Sequence, residues 1–442
     1  MEVEAWLARA ASARPQHTAL QTVRGDWSYA RLHAAARSGA AELAARGAGP
    51  GTRVAIALPA GLDFAQALHA CLLLGAVAVP VDLRLSPAER ERIAAAAAVL
   101  VDEPLAQDRA PASFAVAEVH DLDATAVVIH TSGTTATPRP VELTYGNVLW
   151  SALGSAVALG LDPEERWLCA LPLSHVGGLS ILLRSAIYAT TAIVHERFEC
   201  DRVLRALQAG EATLVSLVAT TLARLLDAAL QRPRALRCAL TGGGPVPAAL
   251  VSRAHAAGVP VSLTYGLTES CSQATTTPVA EIGGAAASAG TPLFCTRLRI
   301  AGDGEILVSG PTVAPAAIAS DGWLHTGDLG ELDERGRLRV SGRKADTIVS
   351  GGENVAPAEV EAVLEAHPGV LEAAVLGRLD PRWGEAVTAI VVTRAGGGLD
   401  IEELRAHCAG ALAPYKVPKQ FALATEPLPR TRSGKLLRRE LR

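Results

Sequence analysis

The run Ile129-His130-Thr131-Ser132-Gly133-Thr134-Thr135-Ala136-Thr137-Pro138-Arg139 crowds hydroxyl side chains, a glycine and a cation into one short stretch. It continues the apolar, strand-like Ala126-Val127-Val128-Ile129. Backbone N–H groups and hydroxyls converging on one loop can wrap phosphate oxygens, and an arginine adds a fixed positive fork. No GK[ST] follows the glycine at the required spacing, which excludes a Walker A loop. Taken alone, such a run is more commonly a surface turn.

Further segments follow in a fixed order. They are Thr264-Tyr265-Gly266-Leu267-Thr268-Glu269, then Gly322-Trp323-Leu324-His325-Thr326-Gly327-Asp328-Leu329. Next comes Gly342-Arg343-Lys344-Ala345-Asp346-Thr347-Ile348-Val349-Ser350-Gly351-Gly352-Glu353-Asn354-Val355, and finally Pro429-Arg430-Thr431-Arg432-Ser433-Gly434-Lys435. This series, covering nearly the whole chain, resembles the adenylate-forming superfamily of acyl-CoA synthetases, peptide-synthetase adenylation domains and luciferases. The resemblance implies attack of a substrate carboxylate on the α-phosphate of ATP, followed by displacement of AMP by a thiol, usually that of CoA. Such a site must clamp negative oxygens, hold magnesium and exclude water.

The resemblance also implies roles for individual residues. Thr131, Ser132, Gly133, Thr134 and Thr135 would embrace the β- and γ-phosphates, with Arg139 where the family usually has lysine and Ala136 where it usually has glycine. Arginine keeps the charge but is forked and bulkier. Glu269 matches the magnesium-associated carboxylate, Thr268 would contact the α-phosphate and Tyr265 would stack on adenine. Gly242, Gly243 and Gly244, in Thr241-Gly242-Gly243-Gly244-Pro245, would let the flat adenine approach the backbone closely. Asp328 would accept both ribose hydroxyls, since one carboxylate can accept two, and Arg343 would support the nucleotide from the hinge side. Lys435 is the expected adenylation catalyst, an ammonium on a long stem brought in by a moving domain. The family's hinge residue, usually Asp or Lys, falls on Ala345, with Lys344 as a neighbouring candidate; 350–354 would shape the pantetheine tunnel.

For the acid, Leu171-Pro172-Leu173-Ser174-His175-Val176-Gly177-Gly178-Leu179-Ser180-Ile181-Leu182-Leu183-Arg184-Ser185 resembles a stretch of the o-succinylbenzoate–CoA ligases of menaquinone biosynthesis. So does Val81-Asp82-Leu83-Arg84-Leu85-Ser86. A substrate with two carboxylates needs a cation for the one that does not react, and Arg84 and Arg184 are both candidates, each also readable as half of an ion pair holding the fold. His175 falls at the gating position beside the acyl pocket and counts as both catalytic and acid-binding; small residues around Ser262, Gly266 and Ser270-Cys271-Ser272 leave room for an aromatic ring. The leading expectation is an ATP-dependent, magnesium-using CoA ligase for o-succinylbenzoate. Alternatives are a ligase for another aryl or medium-chain acid, an adenylation enzyme loading a carrier protein, and a decayed nucleotide-binding homologue suggested by Ala136, Arg139 and Ala345.

The elements that must position these residues alternate. A helix over 28–46 with Ser28 as N-cap, a strand over 53–58, a helix from Gly61 and a strand over 77–81 open the chain. After the phosphate loop come helix 144–160, strand 166–171, helix 177–188, strand 190–195, helix 200–210, strand 213–217 and helix 219–231. Such alternation implies parallel sheets with helices on both faces. From 298 to 340 the text turns to short β pieces, and beyond Asp346 helix 357–366, strands 370–376 and 386–393 and helix 400–412 form a new unit. The expected fold is α/β: a large N-terminal domain of helix-flanked, mainly parallel sheets plus a small β element (1–344), then a small, mobile α+β C-terminal domain (345–442) carrying the catalytic lysine. At 442 residues more than one domain is expected.

Bulk properties exclude other classes. With 41 Lys and Arg against 45 Asp and Glu the net charge is −4, so nucleic-acid binding is not expected. The apolar stretch 67–81 is broken by His69, Gly75 and Pro80, so no membrane insertion is expected. Seven scattered cysteines without a CxxC pair read as reduced core or surface thiols and not as a disulfide framework or zinc site, and the first residues lack a signal-peptide pattern, which points to the cytoplasm. The expected partners are a small carboxylic acid, ATP and CoA, and a homodimer is compatible with the sequence.

Overall fold

A computed structural model describes residues 1–107, 116–131, 139–283, 288–350, 353–394, 399–430 and 436–441. By contacts the chain forms two compact units, Met1–Leu298 with Val308–Leu324, and Arg299–Leu307 with His325–Arg442.

The first unit is built on two sheets. One is five-stranded, in the order Val99–Val101, Arg53–Ile56, Val77–Pro80, Thr125–Thr131, Arg139–Thr144. Its pairs are parallel except the last, the antiparallel pair Thr125–Thr131 with Arg139–Thr144. The other is nine-stranded, with Val261–Tyr265, Cys238–Thr241, Leu214–Leu217, Arg166–Cys169, Thr191–Val194 and Thr18–Thr22 parallel in its centre. Antiparallel pieces, Thr275–Thr276 with Thr291–Pro292 and Gly25–Ser28, close its two edges.

The central strands Val77–Pro80, Thr191–Val194, Leu214–Leu217 and Cys238–Thr241 are buried throughout, as short apolar runs covered on both faces must be. The helix Leu62–Leu73 is apolar on nearly all sides, and every residue in it is buried, as an interior helix requires. Tyr29–Ala45 starts where the Ser28 hydroxyl accepts from Arg31 N. Its buried alanines allow close packing on Leu62–Leu73. A separate apolar cluster, including Val203, Leu207, Leu222, Leu225 and Val251, covers strand residues Leu168, Val215 and Ala239. Tyr145–Leu159 starts with reciprocal Thr144 and Asn147 bonds, and Asn147 Nδ2 also donates to Pro311 O and Val313 O, tying in the later segment.

The second unit holds most of a four-stranded sheet, Arg297–Ile300, Glu305–Ser309, Leu324–Leu332 and Leu338–Arg343. It also holds a five-stranded sheet centred on the hairpin Val370–Asp380 and Gly384–Thr393. Helices Pro357–Glu365 and Ile401–Ala411 bury Val360, Leu364, Leu404 and Cys408 against Val375, Val387 and Val391.

The chain has the expected α/β architecture, with the small β element grouped by contacts with the C-terminal unit. Two boundaries moved for local reasons. The helix expected over 219–231 ends at Asp227, because Ala229 turns to φ 63° and Leu230 N returns to Leu225 O. The strands expected over 370–376 and 386–393 extend toward each other as a hairpin whose outer part, including the exposed Leu379, lies beyond the apolar core that marks a strand in sequence.

Candidate active site

The parallel strands of the nine-stranded sheet send their carboxyl ends to one edge, where an open α/β sheet binds ligands. Register places Cys169 beside Ser216, Leu217 beside Thr241 and Thr241 beside Leu263. The segments leaving this edge therefore carry His175, Gly242, Gly243 and Gly244, and Tyr265, Gly266, Thr268 and Glu269.

Glycine is required where these turns meet. A Cβ on Gly242 would lie 2.6 Å from Thr264 O, and one on Gly266 would lie 1.7 Å from Ser272 O. The Tyr-Gly-Leu-Thr-Glu segment thus folds back on itself, with Cys271 and Ser272 at φ 52° and 92°. Leu267 N donates to Ser270 Oγ, and Ala314 N donates to Glu269 O, fixing the turn from both sides. The Glu269 carboxylate is half-buried, and no described residue forms an ion pair with it. Among the described residues no group of three or more His, Cys, Asp or Glu side chains gathers.

On the other sheet, Thr131 and Arg139 pair at the end of the antiparallel ladder Thr125–Thr131 with Arg139–Thr144, and Thr131 Oγ1 donates to Arg139 O at 3.3 Å. Ser132, Gly133, Thr134, Thr135 and Ala136 lie outside the described residues, as do Gly351, Gly352 and Lys435.

His175 caps the helix Val176–Tyr188. Its Nε2 lies 2.9 Å from an Arg84 Nη atom and 3.6 Å from Asp82 Oδ2. Partial burial, reinforced by the Arg84 charge, holds its pKa below the usual histidine value. Asp82 follows the strand Val77–Pro80, so the ends of both sheets contribute to this cluster. Asp82 grips Arg84 in a fork, with bonds of 2.8 and 2.6 Å.

Arg184, in the helix that His175 caps, is only 2% exposed. Its guanidinium donates to Ser151 Oγ at 3.0 Å, lies 5.6 Å from the Trp167 ring centroid and leaves Nε without a partner. No described carboxylate pairs with it, and burial lowers its pKa. It lines a small cavity with Ser151, Val176, Leu179, Ser180 and Cys271, and Ser151 Oγ also donates to Cys271 O at 2.6 Å. Arg184 thus lies against the end of the Tyr-Gly-Leu-Thr-Glu turn, whereas Arg84 is engaged by Asp82 and His175.

In the second unit Asp328 is nearly buried opposite Arg343, whose Nε donates to Oδ1 at 2.8 Å. Thr326 Oγ1 accepts from Asp328 N and donates to Ile306 O, holding the Asp328 backbone. Lys344 Nζ reaches Asp303 and Glu305 at 2.6 and 3.1 Å, and Glu305 also accepts from Gly327 N.

Sequence reasoning named no role for Asp82, Ser151, Asp303 or Glu305. Asp82 had a local signal, since Arg84 N also bonds to Asp82 Oδ1 in a turn typical of Asp. The others act through partners distant in the chain.

Mainly parallel sheets with glycine turns at the carboxyl ends of their strands define an α/β enzyme of the kind that binds its ligand at that edge. Residues 7–113 and 97–316 match the AMP-binding enzyme family, and 359–435 match the AMP-binding enzyme C-terminal domain. The chain belongs to the AMP-binding enzymes. It is 38% identical over 476 residues to the 2-succinylbenzoate–CoA ligase of Bacillus subtilis (strain 168), covering 99% of this chain and 97% of that protein. It is 39% identical over 475 residues to the 2-succinylbenzoate–CoA ligase of Bacillus cereus (strain Q1), covering 99% and 98%. Among solved structures it is similar to o-succinylbenzoate CoA synthetase (MenE) from Bacillus subtilis in complex with the acyl-adenylate intermediate OSB-AMP. That match has a TM-score of 0.91 and 37% identity, and covers 100% of this chain and 98% of the other. The same Bacillus enzyme with ATP and magnesium ion matches at a TM-score of 0.90, 37% identity and 100% of both chains.

Among the described residues no helix is long and apolar enough to cross a membrane.

Proposed function

We propose that this chain is an ATP-dependent acid–CoA ligase converting o-succinylbenzoate, ATP and CoA to o-succinylbenzoyl-CoA, AMP and pyrophosphate. In the first step a carboxylate oxygen attacks the α-phosphorus, and the bond to the bridging oxygen of pyrophosphate breaks. In the second, the CoA sulfur, its proton lost to water, attacks the acyl carbon of the adenylate, and the bond to the AMP oxygen breaks.

The assignment of residues rests on their motifs and on the geometry above. Thr131, Ser132, Gly133, Thr134, Thr135 and Arg139 grip the β- and γ-phosphates, and Thr268 grips the α-phosphate. Gly242, Gly243, Gly244 and Tyr265 take adenine, and Asp328, steadied by Arg343, takes the ribose. Glu269 is the residue to hold magnesium, which when bound offsets phosphate charge. His175 and Gly266 border the acid. Lys435 neutralises charge on the reacting carboxylate and α-phosphate. The moving part begins at Ala345: on one side Lys344 pairs with Asp303 and Glu305, and on the other Asp346 lies 3.6 Å from Arg438.

The observation that carries the choice of acid is Arg184. A buried guanidinium with no anionic partner among the described residues is costly, and the ring carboxylate of o-succinylbenzoate would supply one. The test is mass spectrometry of the enzyme with o-succinylbenzoate, ATP, magnesium and CoA, beside a panel of aryl and medium-chain acids. The expected product is the o-succinylbenzoyl thioester; preference for an acid with a single carboxylate would refute the choice, and silence on every acid would indicate a decayed enzyme. We further propose a cytoplasmic homodimer. Seven free cysteines support a reducing compartment, and light scattering on the purified protein tests the dimer.

A further inference from the structure

We propose that Asp82 and Arg84 are positioning residues for His175, the Arg84 guanidinium acting as a bridge that keeps the imidazole neutral with its proton on Nδ1. The proposal rests on the placement of His175 beside the acid.

The bridge is built on a stiff segment. Val81 N bonds to Ile56 O as the strand ends, Arg84 N bonds to Asp82 Oδ1, and Leu85 N bonds to Asp82 O. Ser86 and Glu89 then form a reciprocal capping pair that starts the next helix. Within this frame Asp82 holds Arg84 by two parallel bonds, Nε to Oδ1 and Nη to Oδ2, the geometry that fixes a guanidinium in a plane. The same Nη atom meets His175 Nε2 at 2.9 Å.

A guanidinium can only donate, so Nε2 must accept, and the ring proton is left to Nδ1. An imidazolium would set two donors against each other. Asp82 Oδ2 is itself 3.6 Å from Nε2. Without the guanidinium, that carboxylate would be the nearest polar partner, and it favours the opposite state, a proton on Nε2 and a charged ring. Arg84 therefore decides the charge of His175 as well as its orientation. Among the described residues, Asp82 and Arg84 are the charged groups whose fields act on the ring. The other segment packed on it, Pro172, Leu173 and Ser174 before the histidine and Val176, Gly177 and Gly178 after it, is uncharged. Gly178 lets the helix start close to the preceding turn, since a Cβ there would fall 2.4 Å from Pro172 O. Both anchors of the ring, backbone and side chain, are thus fixed.

A neutral ring fits its place. An imidazolium beside the reacting acid would hold the carboxylate in an ion pair and weaken its attack, whereas a neutral ring can line the pocket and turn without breaking a salt bridge.

The experiment is nitrogen-15 NMR of histidine-labelled full-length enzyme, with the His175 signals identified by their loss in His175→Gln. In the wild type, Nε2 is expected to be the bare acceptor and Nδ1 to bear the proton, from alkaline pH down through the ordinary histidine range. In Arg84→Gln, which leaves Asp82 in place, the proton is expected on Nε2, with the titration midpoint raised by at least one pH unit. Thioester formation by that variant then acquires an acid limb at the new midpoint, falling about tenfold per pH unit below it. Asp82→Asn/Arg84→Gln removes both charges and should return the midpoint and abolish the limb. Arg84→Lys, which keeps the charge without the fork, should hold the midpoint low. An unchanged tautomer and midpoint in Arg84→Gln overturns the proposal. A changed midpoint with no acid limb leaves the bridge standing and refutes the placement of His175 beside the acid.

Discussion

Replacing Arg184 with methionine should separate what this residue does for the fold from what it does for the substrate. The guanidinium is 2% exposed, has one hydrogen bond to Ser151, stacks over Trp167 and has no described carboxylate partner. An unpaired buried cation costs several kcal/mol to desolvate, while its bond to a hydroxyl and the ring contact together return about 2–4 kcal/mol. Methionine fills much of the same volume and removes the charge, and Ser151 keeps its bond to Cys271 O. The free protein should therefore melt at the same temperature or slightly higher. The substrate should see the opposite. Truncating one partner of a buried charge pair costs about 2–5 kcal/mol, roughly 30-fold to several thousand-fold in kcat/KM for o-succinylbenzoate. Benzoylpropionate, which lacks the ring carboxylate, should lose nothing and gain relative to the wild type. Pyrophosphate release with both acids, beside a melting curve, reads all three quantities. Equal losses on the two acids together with a lower melting temperature would show that Arg184 serves the fold, and the reasoning would be refuted.

Lys435→Ala should lower acid-dependent exchange of labelled pyrophosphate into ATP by about 10²–10³, the size of one transition-state charge contact; wild-type exchange would remove Lys435 from the mechanism. Gly266→Ala should disrupt the Tyr265 to Glu269 turn, because the added carbon would sit 1.7 Å from Ser272 O. Its ATP KM should rise more than tenfold or the protein should precipitate, and normal ATP titration would contradict the close approach. Stability should fall in acid. His69 and His120 are buried neutral, their pKa values pushed down to about 4 chiefly by burial. The unfolded chain takes up these protons first, so stability is full above about pH 6.5 and declines by about 1.4 kcal/mol per unit per histidine as pH drops toward 4. Urea midpoints measured across that window, with His120→Gln flattening part of the slope, check the sign.

Most of the fold was legible because short buried strands and capped helices leave local marks. The Ser28 cap, the run 53–58, whose strand ends at Ile56, and the alternation from 144 to 217 each reflect only near neighbours. The end of the helix at Asp227 and the long hairpin at 370–393 were less legible. A left-handed alanine and an exposed strand tip leave no apolar periodicity to read.

The nucleotide motifs and the sequence of chemical groups along the chain are set by the sequence itself, because a phosphate loop and a glycine turn are local objects whose residue types answer to backbone geometry. The partners of the cations were decided only by tertiary structure. Arg84 and Arg184 look alike as letters; one is locked by Asp82 onto His175, and the other is buried against Ser151 from a different helix. What a charged side chain does depends on what surrounds it in space, and burial and counter-ions come from segments that the local pattern does not contain.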